Sequence, residues 1–123
     1  MQHKVKSVRP FLGAKHFETS RRFYHELGFK ENVIDAGFSV FYAEGIAFYL
    51  QDAYIKDWVD NLQVFVEVDD VNTYHQQLDA LDLSVKFEDV RLTSIRHNDW
   101  GSECFLHDPS GILWHFGQFI VAK

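Results

Sequence analysis

The sequence predicts an α+β fold assembled from two similar βαβββ halves, and three observations carry that expectation. Short segments with period-two apolar alternation flank two longer segments with helical spacing. The order of these segments is the same in each half. Finally, adding 54 to Phe17, Tyr24, Leu27 and Phe29 gives Val71, Leu78, Leu81 and Leu83, and the same shift carries Phe11 to Phe65 and Leu12 to Val66. Any one match is unremarkable in a chain that is 46% hydrophobic, but six in register favour duplication.

In the first half, Val5 to Leu12 reads as a strand whose Pro10, lacking an N–H, marks an edge or a bend. Phe17 to Leu27 reads as a helix with Phe17, Tyr24 and Leu27 on one face and Phe23 beside them. Gly28 follows at once as its stop signal. Lys30 to Ile34, Phe38 to Ala43 and Ala47 to Gln51 read as strands, the last two joined at Glu44-Gly45 as a hairpin. Residues 52 to 61 form a linker, polar except for Tyr54, Ile55, Trp58 and Val59.

The second half repeats the pattern. Leu62 to Val68 reads as a strand, and Asp69 or Asp70 suits a helix N-cap. Val71, Tyr74, Leu78 and Leu81 then make an amphipathic stripe. Val85 to Leu92, Ser102 to His107 and Ile112 to Phe119 read as three strands, the last two joined by the turn Asp108-Pro109-Ser110-Gly111. The expectation is one domain over residues 1–123, with modules at about 4–51 and 62–120.

Composition narrows the function. A chain of this length buries roughly two-thirds of its unfolded surface, enough for a core without staples. The balance of 12 Lys and Arg against 18 Asp and Glu gives a formal charge of −6, which argues against nucleic acid and weakly favours a cationic ligand. No apolar run reaches the ~20 residues of a membrane helix, no signal peptide is readable, and the expected localisation is cytoplasmic. The lone Cys104 excludes an intrachain disulfide and reads as a small core residue. The 12 Phe, 5 Tyr and 3 Trp exceed what a small core needs, so some rings are expected to line a pocket or an interface.

Two strings point to a family: Ser20-x-x-Phe23-Tyr24-x-x-Leu27-Gly28-Phe29, and Asp108-Pro109-Ser110-Gly111 ahead of a strand. With two βαβββ modules in about 120 residues, the chain resembles the vicinal oxygen chelate superfamily, also called the glyoxalase/bleomycin resistance/dioxygenase fold. The resemblance implies a curved mixed sheet with helices on its outer face. Its enzymes hold a divalent metal with His or Glu from the first and last strands of each module. Counting from the motifs puts those positions at Arg9, Gln63, His115 and either Tyr49 or Gln51. Arg9 is permanently protonated and Gln63 is a poor ligand, so only His115 suits a metal.

The same positions are closer to the bleomycin resistance branch, whose members are small acidic dimers that sequester a cationic antibiotic without altering it. The matching features are Pro10 13 residues before Phe23, Gly28-Phe29, Phe38 opening the third strand, Asp60-Asn61, Trp100-Gly101, and Asp108-Pro109-x-Gly111 with His115-Phe116. The chain departs in having Phe23-Tyr24 where the family has a Phe-Trp pair. The resemblance implies that Pro10 sits where an N-terminal arm crosses to a partner subunit, and that Phe38 and Trp100 stack on the ligand.

Each candidate also has a plainer reading. Trp100, in the polar stretch Arg96-His97-Asn98-Asp99, caps the core or offers its face to a ligand; Phe38 packs the core or lines the crevice. His115 is a metal ligand, an acid/base group or a polar strand residue, while His97 and His107 read as surface histidines. Arg9, Gln51 and Gln63 are expected beside His115 on the concave sheet, where an inward Arg9 should meet a carboxylate. Glu67, Asp69, Asp70, Asp52, Asp57 and Asp60 either form an acidic rim or are simply solvated, and Tyr54 and Trp58 either wall the crevice or pack the linker. The expected function is non-enzymatic binding of a planar or cationic small molecule by a homodimer, without metal or cofactor. The alternative is a metal-dependent lyase or dioxygenase built around His115.

Overall fold

The computed structural model describes residues 1–120. Its elements in chain order are β1 (Phe11–Gly13), α1 (Phe17–Glu26), β2 (Lys30–Asp35), β3 (Phe38–Ala43), β4 (Ile46–Gln51), α2 (Lys56–Val59), β5 (Gln63–Glu67), α3 (Val71–Ala80), α4 (Leu83–Lys86), β6 (Arg91–Leu92), β7 (Arg96–Asn98), β8 (Gly101–His107) and β9 (Leu113–Phe119). They form two mixed sheets, ordered β1-β4-β3-β2 and β5-β9-β8-β6, with β7 also paired to β8. Each sheet has one parallel pair, β1 with β4 and β5 with β9, and is otherwise antiparallel. The duplicated α+β architecture read from the sequence is therefore present. Among the described residues, no helix is long and apolar enough to cross a membrane.

The helices start and stop where their sequences dictate. Asp70 caps α3 by accepting from the Asn72 and Thr73 N–H groups at 3.0 and 3.2 Å. After α1, Gly28 takes a φ of +92°, a left-handed conformation that a side chain would oppose. From α1, Phe23 and Tyr24 are fully buried, and from α3, Val71 and Leu78. Both helices feed one core rather than two. The Tyr24 ring lies 4.9 Å from Phe48 in the first sheet and 5.8 Å from Trp114 in the second.

A polar bridge fixes this seam. The Tyr24 hydroxyl donates to Asp108 at 2.7 Å and accepts from the Trp114 indole at 3.1 Å. The other Asp108 oxygen accepts from the Ser110 and Ile112 N–H groups at 2.8 Å each. Burial drives the Asp108 carboxyl up to about 6, against the pull of Tyr24 and these backbone donors. The Asp-Pro-Ser-Gly turn is thereby tied to the helix of the opposite half.

Three expectations about elements are corrected. The strand expected over Val5 to Leu12 is only Phe11–Gly13; residues 1–10 are exposed, and of them Pro10 extends the pairing with β4 by one bond, its carbonyl accepting from the Tyr49 N–H at 2.9 Å. The strand expected over Val85 to Leu92 is instead the end of helix α4, a turn over residues 87–90 and a two-residue strand. Leu83, Phe87 and Val90 are buried at helix-like spacing while Val85 is exposed, and only Arg91–Leu92 joins the sheet. The linker contains α2, whose Val59 is buried and whose Trp58 packs on the core.

Candidate functional site

Alternation along the strands gives each sheet a helix side and an open side. In β8 and β9 the residues Cys104, Leu106, Trp114 and Phe116 are buried on the helix side, where Phe116 stacks on Tyr74 of α3 at 4.7 Å. Glu103, Phe105, His115, Gly117 and Phe119 alternate with them and face the open side. In the first sheet Phe41, Phe48 and Leu50 are core residues, and Phe38, Tyr49 and Gln51 take the other side. Cys104 is buried as expected, and burial pushes its thiol up to about 11, so it is no nucleophile.

The open side of the first sheet is a stack of rings. Tyr49 lies 4.8 Å from Phe11 and 5.3 Å from Phe38, with interplanar angles of 24° and 15°. Phe38, predicted as a wall of the binding crevice, is thus half-exposed within this trio. Arg9 is exposed rather than turned inward: it bonds Ser7, holds its guanidinium 5.9 Å from the Tyr49 ring and, among the described residues, meets no side-chain carboxylate.

The open side of the second sheet mixes rings with a polar row. Trp100 lies 6.2 Å from Phe65 and 5.2 Å from Phe119, and these three rings are 38%, 46% and 47% exposed. Gly117 makes room for them, since a Cβ there would sit 2.5 Å from Phe65 and 3.4 Å from Trp100. Beside them runs a chain of side chains over four strands. Asn98 donates to Glu103 at 3.1 Å, His115 Nδ1 lies 3.2 Å from the other Glu103 oxygen, and His115 Nε2 lies 2.7 Å from Gln63 Oε1. Both ring nitrogens of His115 are engaged, and Phe105 presses its edge on the ring at 4.8 Å.

Strand register settles which residues correspond between halves. Phe11 pairs with Tyr49 as Phe65 pairs with His115, and Phe38 pairs with Gln51 as Glu103 pairs with Gly117. The counterpart of His115 is therefore Tyr49. Gln51 lies one step further along the open side, next to Phe38. The four positions where a family metal would sit are then Arg9, Tyr49, Gln63 and His115. These do not fit a divalent metal: one is a cation, one a stacked phenol, one an amide bonded to the fourth.

Phe38 and Trp100 belong to separate clusters, and no ring pair links the two open sides. Of the six acidic residues, Glu67, Asp69 and Asp70 line one groove, with Asp70 also capping α3, while Asp60 accepts from Tyr54 at 3.0 Å. Trp58 packs over Gly13, where a Cβ would sit 2.7 Å from its ring. Phe11, Phe65, Phe119, Asn98 and Glu103 were not foreseen as site residues, and Tyr49 only as the alternative to Gln51 at one metal position. Glu103 carried no distinct sequence signal, since Ser102 and His107 in the same strand are polar as well.

A groove of about 880 Å³ lies between the halves, lined by Val8, Pro10, Ile46, Val64, Val66 and Tyr74 among others. It follows from strand length. β1 pairs with β4 only from Phe11 to Gly13, opposite Tyr49 to Gln51, and β5 is an edge strand, so both present unpaired backbone to the groove.

This topology is also found in solved structures. A bleomycin-binding protein complexed with bleomycin superimposes with a TM-score of 0.78 at 20% identity, over 94% of this chain and all of the other. The chain has the glyoxalase/bleomycin resistance fold. The bleomycin-binding protein of Streptomyces verticillus, complexed with copper(II)-bleomycin, gives 0.78 at 21% identity over 97% of this chain and all of its own. A lactoylglutathione lyase from Agrobacterium tumefaciens also shares the glyoxalase/bleomycin resistance fold, with a TM-score of 0.69 at 13% identity over 94% of this chain and 96% of its own. No family model and no curated protein matches the sequence. At these identities the likeness establishes the fold, and function has to be argued from the site.

Proposed function

We propose that the protein is a non-enzymatic, homodimeric small-molecule-binding protein that sequesters a planar or cationic ligand in a crevice at the subunit interface. One observation carries this reading: a single chain holds two half-exposed aromatic faces that do not meet each other. In a dimer, the Phe38 face of one subunit would stand opposite the Trp100 face of its partner, giving a planar guest a ring on each side. Pro10 would be the point at which the exposed N-terminal segment leaves for the partner, with the free edges of β4 and β5 available for strand addition.

The donor set also supports binding over metal chemistry, because Arg9, Tyr49 and Gln63 would have to be rebuilt to hold a catalytic ion. The structural likeness to two bleomycin-binding proteins makes bleomycin the first ligand to try. Native mass spectrometry should report a dimer, and titration calorimetry with metal-free bleomycin should give saturable heat with two sites per dimer. A monomer that takes up no bleomycin at high micromolar drug would sink this reading. Recovery of stoichiometric metal together with lyase or dioxygenase turnover would replace it with the enzymatic alternative.

A further inference from the structure

The binding reading leaves one buried charge unaccounted for. The Glu103 side chain is 12% exposed, and among the described residues no Lys or Arg nitrogen lies within 4.0 Å of it. Its partners are Asn98 and His115. Arg96, opposite Glu103 in register, turns its guanidinium instead over the Phe105 ring at 5.8 Å. Elsewhere the same chain does pair such a group. The Glu31 side chain, 5% exposed, takes two hydrogen bonds from Arg21, one from Ser39 at 2.6 Å and a contact from His25. A carboxylate left almost buried beside rings, whose one charge partner is a histidine that pairs with it only when protonated, costs free energy that a guest's permanent cation would recover.

We propose that Glu103 is the specificity-determining residue for a cationic group in the ligand, and this rests on the crevice-binding reading above. Gly117 occupies the next position in its row and carries no side chain, and the Phe65 and Trp100 rings lie over that gap. Beyond Gly117 in the same row stands Glu67, which is exposed. A flat cation lying on those rings would meet π faces and the Glu103 carboxylate together. Asn98 and His115 position that carboxylate without neutralising it permanently. In the first half the corresponding position holds Phe38, so the two crevice walls would differ, one apolar and one cation-selective.

The test uses the full chain and two probes of nearly the same shape: N-methylacridinium, a permanent cation, and acridine, neutral in mildly alkaline buffer. The wild type should bind the cation about tenfold more tightly than the neutral ring, the scale of a partly desolvated charge pair with a π face. Glu103→Gln should lose that preference, mostly by weakening the cation, while Glu103→Asp should keep most of it. A preference that survives in Glu103→Gln overturns the assignment, and so does a wild type that binds both probes equally, even if the glutamine variant fails to fold. If bleomycin and both probes all fail to bind the wild type, the crevice reading falls as well. If bleomycin binds but Glu103→Gln does not alter cation preference, only the Glu103 assignment falls.

Discussion

The two sheets are copies of one plan, and they have stayed alike on one side and diverged on the other. On the helix side both supply large apolar groups to a shared core, with Phe41 and Phe48 in one and Trp114 and Phe116 in the other. On the open side, Tyr49 stacks between Phe11 and Phe38, whereas its counterpart His115 is tied into a hydrogen-bonded row with Gln63 and Glu103. The contrast teaches that packing constrains the helix side, where a volume change is felt at once. The open side is free to become two chemically different walls.

Breaking the shared side should have the largest effect. Trp114→Ala removes the ring that joins the halves and should cost about 4 kcal/mol of unfolding free energy, read from the denaturant midpoint at fixed protein concentration. Both halves should lose structure in one transition. A protein in which only the second half unfolds would show that the core is less shared than it looks.

Next come the two nearly buried carboxylates. Glu31→Gln leaves Arg21 with only the exposed Glu18 as a charge partner and should cost about 2 kcal/mol, whereas Glu103→Gln should cost less than about 0.5 kcal/mol because its one charge partner, His115, pairs with it only when protonated. Desolvation raises the Glu31 carboxyl, but the bonds from Arg21, Ser39 and His25 outweigh it and hold the group at about 2 rather than 4.5. Its stabilisation is therefore present above pH 4.5 and is lost as pH falls toward 2, a limb that Glu31→Gln should abolish in an acid-unfolding series.

Asp108 has the opposite sign. Burial raises its carboxyl from 3.8 to about 6, so its contribution is complete below about pH 4 and fades as pH rises through 6. That loss should amount to about 3 kcal/mol, and Asp108→Asn should flatten this part of the stability curve. A wild-type curve that rises through this window would mean that the Tyr24 hydroxyl and the backbone donors overcome burial.

The smallest effect belongs to the apolar wall. Phe38→Ala removes a half-exposed ring and should leave stability within about 1 kcal/mol while weakening bleomycin about fivefold in calorimetry. Equal weakening of cationic and neutral probes would separate the role of Phe38 from that of Glu103. A loss confined to the cation would dissolve the distinction between the walls.

Apolar periodicity and local hydrogen bonds between neighbouring residues are enough to read the duplication, both long helices, most strands and a cap at Asp69 or Asp70, of which the structure uses Asp70. Residue patterns leave Phe38 and Trp100 open between core and crevice, and only the family resemblance names them as ligand-stacking rings. Tertiary structure decided what depends on register. Tyr49 rather than Gln51 is the counterpart of His115 because β1 pairs with β4 at Phe11. Segment 83–92 became a helical turn and a two-residue strand because Leu83, Phe87 and Val90 found the core together. Glu103 was invisible for the same reason. One residue in a seven-residue strand, it acquires meaning only when pairing sets it beside Gly117, His115 and Asn98, positions up to 14 residues away along the chain.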